Sequence, residues 1–472
     1  MSLVGANDNR FSANLPYSHP EVFPPTYAID HLVATYMLLP HADFLELKEL
    51  HAHRQRSWEL QREHVGNNSQ LYRRLYGARP LPKRLEELPD VPLTDKEMLR
   101  SSQTAHSGFG DYLATPHTSI GRVHRTSGTT GTAMNLALSA RDAHETAVVG
   151  GRAQAAGGLG PGHRVVHCLN YRLWMGGLTD HMTLEATGAA VIPFGVGDTA
   201  LLVRTIRELG ITAISCTPSY PAVLEKVLTE QFPTLKPADL GLQLGLFGGE
   251  AGLDDLEFRK RLESVWGFKV RNSNYGVSDV FCNFAGQTEL NNDLHFMALD
   301  VLHPELITPE TGDILPWREG ETGELVLTHV SRECQPLVRF RTGDIICISG
   351  TGLAACGRTA PRFRVVGRVD DMVVVRGINA FPSQVAAIIN GESALSGEYR
   401  IALSGPPPYD ALPLEAELAR TASPEIGNGL AANLESRIKR ELGLTARVTL
   451  VPFNTLPRTE GKTPRVIRKE KL

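Results

Sequence analysis

Residues 189–216 read AAVIPFGVGDTALLVRTIRELGITAISC. Two short apolar runs, Ala189–Phe194 and Ile211–Cys216, flank a helical segment from Asp198 to Leu209. The unit continues on both sides. Arg164–Cys168 (RVVHC) is a further apolar run upstream, a helix is expected from Pro218 to about Glu230, and Gly245–Phe247 is again strand-like. Strand–helix–strand alternation means parallel strands joined by crossover helices, an α/β architecture. Ligands of such sheets sit at the carboxyl ends of the strands.

The ends of the chain read differently. Residues 1 to about 30 form an irregular Pro-, Asn- and Tyr-rich arm. A helical pattern follows from Ala28 to about Leu75, with Phe44, Leu45, Leu47 and Leu50 as its expected apolar stripe. Glu87–Arg100 predicts a turn and a helix capped at Thr94, with Glu97 at the capping-box position. From about residue 295 helices thin out, and Gly323–Thr328 and Asp344–Ile348 read as strands of a β-rich subdomain. Beyond Asp370 a strand (Met372–Val375), a helix (Pro382–Ile389), a second helix (Leu430–Leu442) and a strand (Ala446–Val451) make a small α+β unit. The chain has 472 residues, about three domain equivalents at roughly 150 residues each. Its 48 Lys and Arg nearly balance 52 Asp and Glu, which argues against a general nucleic-acid binder. No segment has the 18 apolar residues of a membrane span, and the start lacks a signal-peptide pattern, so a cytoplasmic protein is expected. None of the six cysteines is spaced CxxC, and reduced, buried thiols are the expectation.

The strongest single motif is Thr126-Ser127-Gly128-Thr129-Thr130-Gly131-Thr132, after the run Ile120–His124. Glycines allow tight turns that point N–H groups inward, and the hydroxyls can donate to phosphate oxygens. No Gly-Lys-Ser/Thr follows, so it is not a Walker loop. A polar turn is the competing reading.

The run TSGTTG resembles the phosphate loop of the acyl-adenylate-forming enzymes, the superfamily of acyl-CoA synthetases, adenylation domains and luciferases. Most members continue with Pro-Lys, whereas Ala133-Met134 stand here. That departure is similar to the phenylacetate-CoA ligase branch. Further motifs carry the likeness in family order: LPDVPLTDKEMLR, NYRLWMGGL (170–178), CTPSYPAVL (216–224), GLFGGEAG (245–252), YGVSDV (275–280), PLVRFRTGDI (336–345), GRVDDMVVVRGINAFPSQV (367–385) and LPRTEGKTPRVI (456–467). The resemblance implies a large AMP-binding domain over 1–369 and a small mobile C-terminal domain over 370–472, hinged at Asp370.

It also implies roles. Thr126, Ser127, Gly128, Thr129, Thr130 and Gly131 would bind the polyphosphate of ATP. Asn274, Tyr275, Gly276, Ser278 and Asp279 would lie against the nucleotide, with Tyr275 near the adenine and Asp279 helping to hold Mg²⁺. Glu is usual at that last position, and the shorter Asp must sit closer or act through water. Gly249 and Glu250 would line the adenine side, Glu250 being otherwise an acid at a helix N-terminus. Asp344 matches the acid that accepts the ribose hydroxyls; a turn acid is the alternative. Asp370 would be the pivot, Arg368 a nucleotide-side cation, and Lys462 the lysine that reaches the acyl-adenylate centre, where composition alone gives a solvated basic tail.

Tyr171, Trp174, Tyr220, Phe247 and Gly248 are the expected acyl pocket, suited to a planar aryl acid. Core packing is the competing use, above all for Phe247. Arg172 stands where the relatives have glycine and could pair with a polar substituent. Some relatives carry a Cys/His zinc site, of which Cys282, His295, Cys347 and Cys356 could rebuild a version. The expected function is ATP- and Mg²⁺-dependent adenylation of an aryl acid and its transfer to coenzyme A, without nucleic-acid or membrane partners. The N-terminal arm leaves room for a homodimer. A non-CoA acceptor, such as an amine, and a nucleotide-binding homologue without turnover are the alternatives.

Overall fold

The computed structural model describes residues 41–77, 79–106, 108–126, 133–250, 253–376, 378–405, 409–420, 422, 427–457 and 465–469. The alternating segment forms four strands as its pattern requires: β3 (Arg164–His167), β4 (Ala190–Pro193), β5 (Ala213–Cys216) and β6 (Leu244–Gly248), preceded by the hairpin β1 (Arg122–Arg125) and β2 (Asn135–Leu138). The pairs β4–β3, β3–β5 and β5–β6 are all parallel. Asp198 caps the crossover helix Thr199–Glu208 by accepting from Leu201 N, and takes a left-handed backbone to do so.

The β-rich region is not a separate sheet. Its strands β8 (Phe281–Gly286), β9 (Leu294–Phe296), β10 (Leu302–Ile307), β11 (Ile314–Leu315), β12 (Thr322–His329), β13 (Phe340–Gly350) and β14 (Arg362–Arg368) join β3–β6 through β7 (Lys269–Val277). The result is one 12-stranded sheet in the order β11-β10-β12-β13-β14-β9-β8-β7-β6-β5-β3-β4. β7 makes the junction because its first part pairs parallel with β6 while Tyr275 and Val277 pair antiparallel with β8. Phe281, Phe284, Phe296, Phe340 and Phe363 are at most 1% exposed beneath this half. Each contributes about 1.5–3 kcal/mol by leaving water.

The C-terminal part has a core of its own, in which Val385, Ile389, Leu412, Leu434 and Ile438 pack together. Its strands β17 (Leu395–Ser404), β18 (Leu412–Leu418), β19 (Ala446–Val451) and β20 (Val466–Lys469) form a four-stranded sheet in the order β19-β18-β17-β20, preceded by the small pair β15 (Val373–Val375) and β16 (Ile378–Ala380). The helices Pro382–Asn390 and Gly427–Leu442 complete the α+β pattern. No helix among the described residues is long and apolar enough to cross a membrane.

Two local expectations need correction. The helix Lys96–Ala105 is capped by Asp95, which accepts from Met98 N at 2.8 Å, and not by Thr94. Thr94 is drawn away by tertiary contact: its hydroxyl donates to Val338 O and its backbone bridges to Phe340. In the N-terminal helices, Phe44 and Leu47 are 41% and 50% exposed, so the buried stripe runs instead through Leu50, Trp58, Gln61 and Val65. The helix breaks between Phe44 and Leu47, which shifts the phase of the inward face.

Candidate active site

The site assembles where the parallel strands end. β6 finishes at Gly248, beside Asn274 of β7. A Cβ on Gly248 would stand 2.4 Å from Asn274 O, so only glycine lets the two backbones approach. Gly249 follows with a positive φ of 80° and turns the chain toward Glu250. Glu250 accepts from Ser219 N at 3.2 Å, at the N-terminal end of the helix Tyr220–Gln231, which is the capping alternative of the sequence reading. Burial raises the Glu250 pKa against these bonds, and Oε1 is buried without a hydrogen-bond partner among the described residues.

Tyr275 stands at the β7 switch with its ring edge-on to Phe284 and Phe363, centroids 5.3 and 5.4 Å away. Its hydroxyl donates to Asp344 Oδ2 at 2.7 Å. Burial and the neighbouring Asp344 push the phenol pKa well up, so it remains a donor. Asp344 lies on β13 opposite Arg368 of β14, and Arg368 Nη1 donates to Asp344 Oδ1 at 2.6 Å. The same guanidinium reaches Asp370 through Nε at 2.8 Å and Nη2 at 3.3 Å. Burial works against the Arg368 charge, but Asp344 and Asp370 outweigh it and raise its pKa. Tyr275, Asp344, Arg368 and Asp370 therefore form one hydrogen-bonded chain.

Thr126 closes the base of the Gly/Thr loop: its hydroxyl accepts from Met134 N at 3.0 Å and its N–H donates to Met134 O. Ser127, Gly128, Thr129, Thr130 and Gly131 lie outside the described residues, as does Lys462. Beyond that segment Arg465 pairs with Glu398 at 2.6 Å; burial opposes its charge, yet Glu398 raises its pKa, with a smaller contribution from Glu250. Glu398 and Arg465, neither singled out from the sequence, thus stand near the Gly-Gly-Glu turn.

Asp279 is 5% exposed and its Oδ2 accepts from Lys96 Nζ at 3.0 Å. Lys96 went unnoticed because its helix reads as a solvated charged face, although it lies inside one of the matching motifs. Asp279 Oδ1 is buried without a partner among the described residues. One unspent carboxylate oxygen fits Mg²⁺, which binds through one or two carboxylates and substrate phosphates. A zinc site finds less support. Cys356 Sγ is 3.6 Å from His295 Nε2, but Cys282 sits at the other end of β8 against Asp180. No group of three metal-binding side chains occurs among the described residues.

Tyr171 and Trp174, expected on the acyl side, lie in the loop Asn170–Trp174, which runs into the helix Met175–Glu185. A Cβ on Gly177 would meet Asn170 O at 2.4 Å, so glycine lets the loop fold onto the first helical turn. Tyr171 OH is hydrogen-bonded to His181 Nδ1 at 2.9 Å, and His181 meets Glu185 at 3.1 Å. Arg125 N donates to Leu173 O, which ties this loop to the strand entering Thr126. Trp174 is half-buried against Gly176, and Tyr220 is 5% exposed with its hydroxyl near Thr199. Phe247 takes the core role: it is fully buried, 5.8 Å from the Phe268 ring, because the side chain before Gly248 faces the helix layer. Arg172 is exposed.

The C-terminal residues 377–470 match the family model of the AMP-binding enzyme C-terminal domain. The chain is 32% identical over 454 residues to the phenylacetate-coenzyme A ligase of Thermus thermophilus, covering 90% of this chain and 97% of that one. A crystal structure of 2-hydroxyisobutyryl-CoA ligase in the postadenylation state, in complex with R3-HIB-AMP, superposes with a TM-score of 0.83 at 29% identity, over 91% of this chain and 92% of that one. The same enzyme in the thioesterification state, with 2-HIB-AMP and CoA, superposes with a TM-score of 0.66 at 30% identity, over 91% of each chain.

Proposed function

The chain belongs to the phenylacetate-coenzyme A ligase family, and on that premise we propose how its residues carry the reaction. It is an AMP-forming acid–thiol ligase. A carboxylate attacks the α-phosphate of ATP, giving acyl-AMP and pyrophosphate, and the coenzyme A thiol then displaces AMP to give the thioester.

The observation that carries the residue assignment is the chain Tyr275–Asp344–Arg368–Asp370. A carboxylate offers about four acceptor positions, so Asp344 can serve a vicinal diol while Tyr275 and Arg368 fix its plane. The ribose of the nucleotide is its ligand. Thr126 to Gly131 hold the polyphosphate, and Mg²⁺ held by Asp279 would neutralise phosphate charge there. Asn274, Gly276, Ser278, Gly249 and Glu250 line the nucleotide, and Lys462 offsets charge developing at the α-phosphate. The edges of Tyr171 and Trp174 favour an aryl acid, with Tyr220 and Gly248 bounding it.

The small domain from residue 370 turns about Asp370 between the half-reactions. The better superposition on the postadenylation state than on the thioesterification state supports reading the present arrangement as the adenylating one. Labelled pyrophosphate exchange into ATP, run with a panel of aryl acids, tests the first half-reaction. Thioester formation from supplied acyl-AMP tests the second. Lys462→Ala is expected to lose the exchange and keep the thioester step; AMP release without dependence on coenzyme A refutes the thiol acceptor.

A further inference from the structure

Asp180 has no place in the scheme above. It lies on the helix Met175–Glu185, 3% exposed, and its Oδ2 accepts from the Asn274 side-chain amide at 2.5 Å. Its other oxygen, Oδ1, is buried without a hydrogen-bond partner of normal strength among the described residues; the weak Cys282 thiol is the remaining group that interacts with the carboxyl. Buried polar atoms are nearly always satisfied, and leaving one unmet costs about 1–3 kcal/mol. Holding Asn274 needs one acceptor only, which a glutamine or asparagine carbonyl supplies without burying an acid. Burial drives the Asp180 pKa up to about 7, and no cation is among its interactions.

Its position joins the two halves of the site. Asn274 is beside Gly248 at the end of β6. On the other side, Tyr171 feels the Asp180 charge after the larger effects of burial, Cys168 and Glu185. Met175 and Cys282 belong to one apolar cluster beside it. The carboxyl thus lies between the aromatic loop and the nucleotide strand.

We propose that Asp180 is a specificity-determining residue whose Oδ1 accepts a hydrogen bond from a ring hydroxyl or ring amino group of the aryl acid. The inference rests on the acid–CoA ligase reading and names its substrate class: donor-substituted aryl acids. A ring without a donor leaves the oxygen unmet in both the acyl-adenylate and the transition state, so the selection appears in kcat/KM for the acid.

The test uses the full chain with ATP, Mg²⁺ and coenzyme A, measuring thioester formation from benzoate, phenylacetate and their ring-hydroxyl and ring-amino derivatives. The best donor-bearing acid is expected to exceed its unsubstituted parent by about tenfold or more in kcat/KM. Comparing the hydroxyl and amino series identifies the donor. Asp180→Ala should bring the ratio to within about threefold, through the KM of the acid, whatever the loss of the Asn274 contact does to both acids alike. Equal use of parent and substituted acids by the wild type, or a ratio that survives Asp180→Ala, overturns the proposal. No thioester from any acid overturns the ligase reading itself. If Asp180→Ala does not fold, wild-type affinities for matched acyl-sulfamoyl adenosines with and without the ring donor decide: tighter binding of the donor form by about tenfold supports the proposal, and equal binding refutes it.

Discussion

Arg368 offers the sharpest test, because one guanidinium serves two acids whose surroundings differ. The Asp344 side chain is 8% exposed and the Asp370 side chain 45% exposed. Replacing Arg368 by Ala leaves Asp344 buried without its cation. A fully buried pair loses about 3–5 kcal/mol when one partner is removed. Arg368 is itself 30% exposed and Tyr275 still donates to Asp344, so about 2–3 kcal/mol is the reasonable expectation. At about 1.4 kcal/mol per decade this lowers kcat/KM for ATP in pyrophosphate exchange by roughly 30- to 150-fold. Arg368→Lys keeps one point charge for Asp344 but cannot fork onto Asp370. The Asp370 contact is worth about 0–1 kcal/mol at that exposure, so exchange should fall less than about fivefold. Asp370→Ala should match the lysine variant in exchange, yet alter thioester formation from supplied acyl-AMP if Asp370 is the pivot. Equal damage from Arg368→Lys and Arg368→Ala would falsify the division between a ribose-site contact and a hinge contact.

Tyr275→Phe removes one donor from Asp344 but keeps the ring contacts with Phe284 and Phe363, so the KM of ATP should rise about tenfold with little change in Tm. Lys96→Met strips the cation from Asp279 and should cost about 2 kcal/mol in denaturant unfolding; a midpoint equal to wild type would show the pair idle. Gly248→Ala places a methyl 2.4 Å from Asn274 O, forces β6 and β7 apart, and should abolish exchange while circular dichroism stays near native. Burial raises both Asp43 and Asp180 to about 7, so each is protonated more in the folded than in the unfolded chain between about pH 4 and 7. Their contribution to stability is therefore present at the acid end of that window and lost as pH rises through it, by up to about 1.4 kcal/mol per unit for each group. Buried His124, His167 and His295, held down to about 4, act with the opposite sign. The acids are accordingly read by difference: Asp43→Asn and Asp180→Asn should each gain on wild type at about pH 8 relative to about pH 5, and parallel curves would refute the shift.

The sequence determined more than the fold class. Residues 189–216 required a parallel unit, since two buried apolar runs around one helix have few other solutions. The ordered motifs determined the family, and through that resemblance they pointed to Tyr275, Asp344 and Arg368, which the fold brings into one hydrogen-bonded chain. What the linear pattern could not carry were contacts between distant segments. That the β-rich subdomain continues the parallel strands in one sheet is not legible locally, because nothing in the sequence says that β7 pairs parallel on one side and antiparallel on the other. Thr94 and Asp95 are equally good caps by type, and only the hydrogen bond from Thr94 to Val338, 244 residues away, decided between them. Lys96 and Asp180 were ordinary helical charges in the sequence. Tertiary structure gave them meaning by burying Asp279 and Asp180, because a carboxylate withdrawn from water must find its donors wherever the fold brings them.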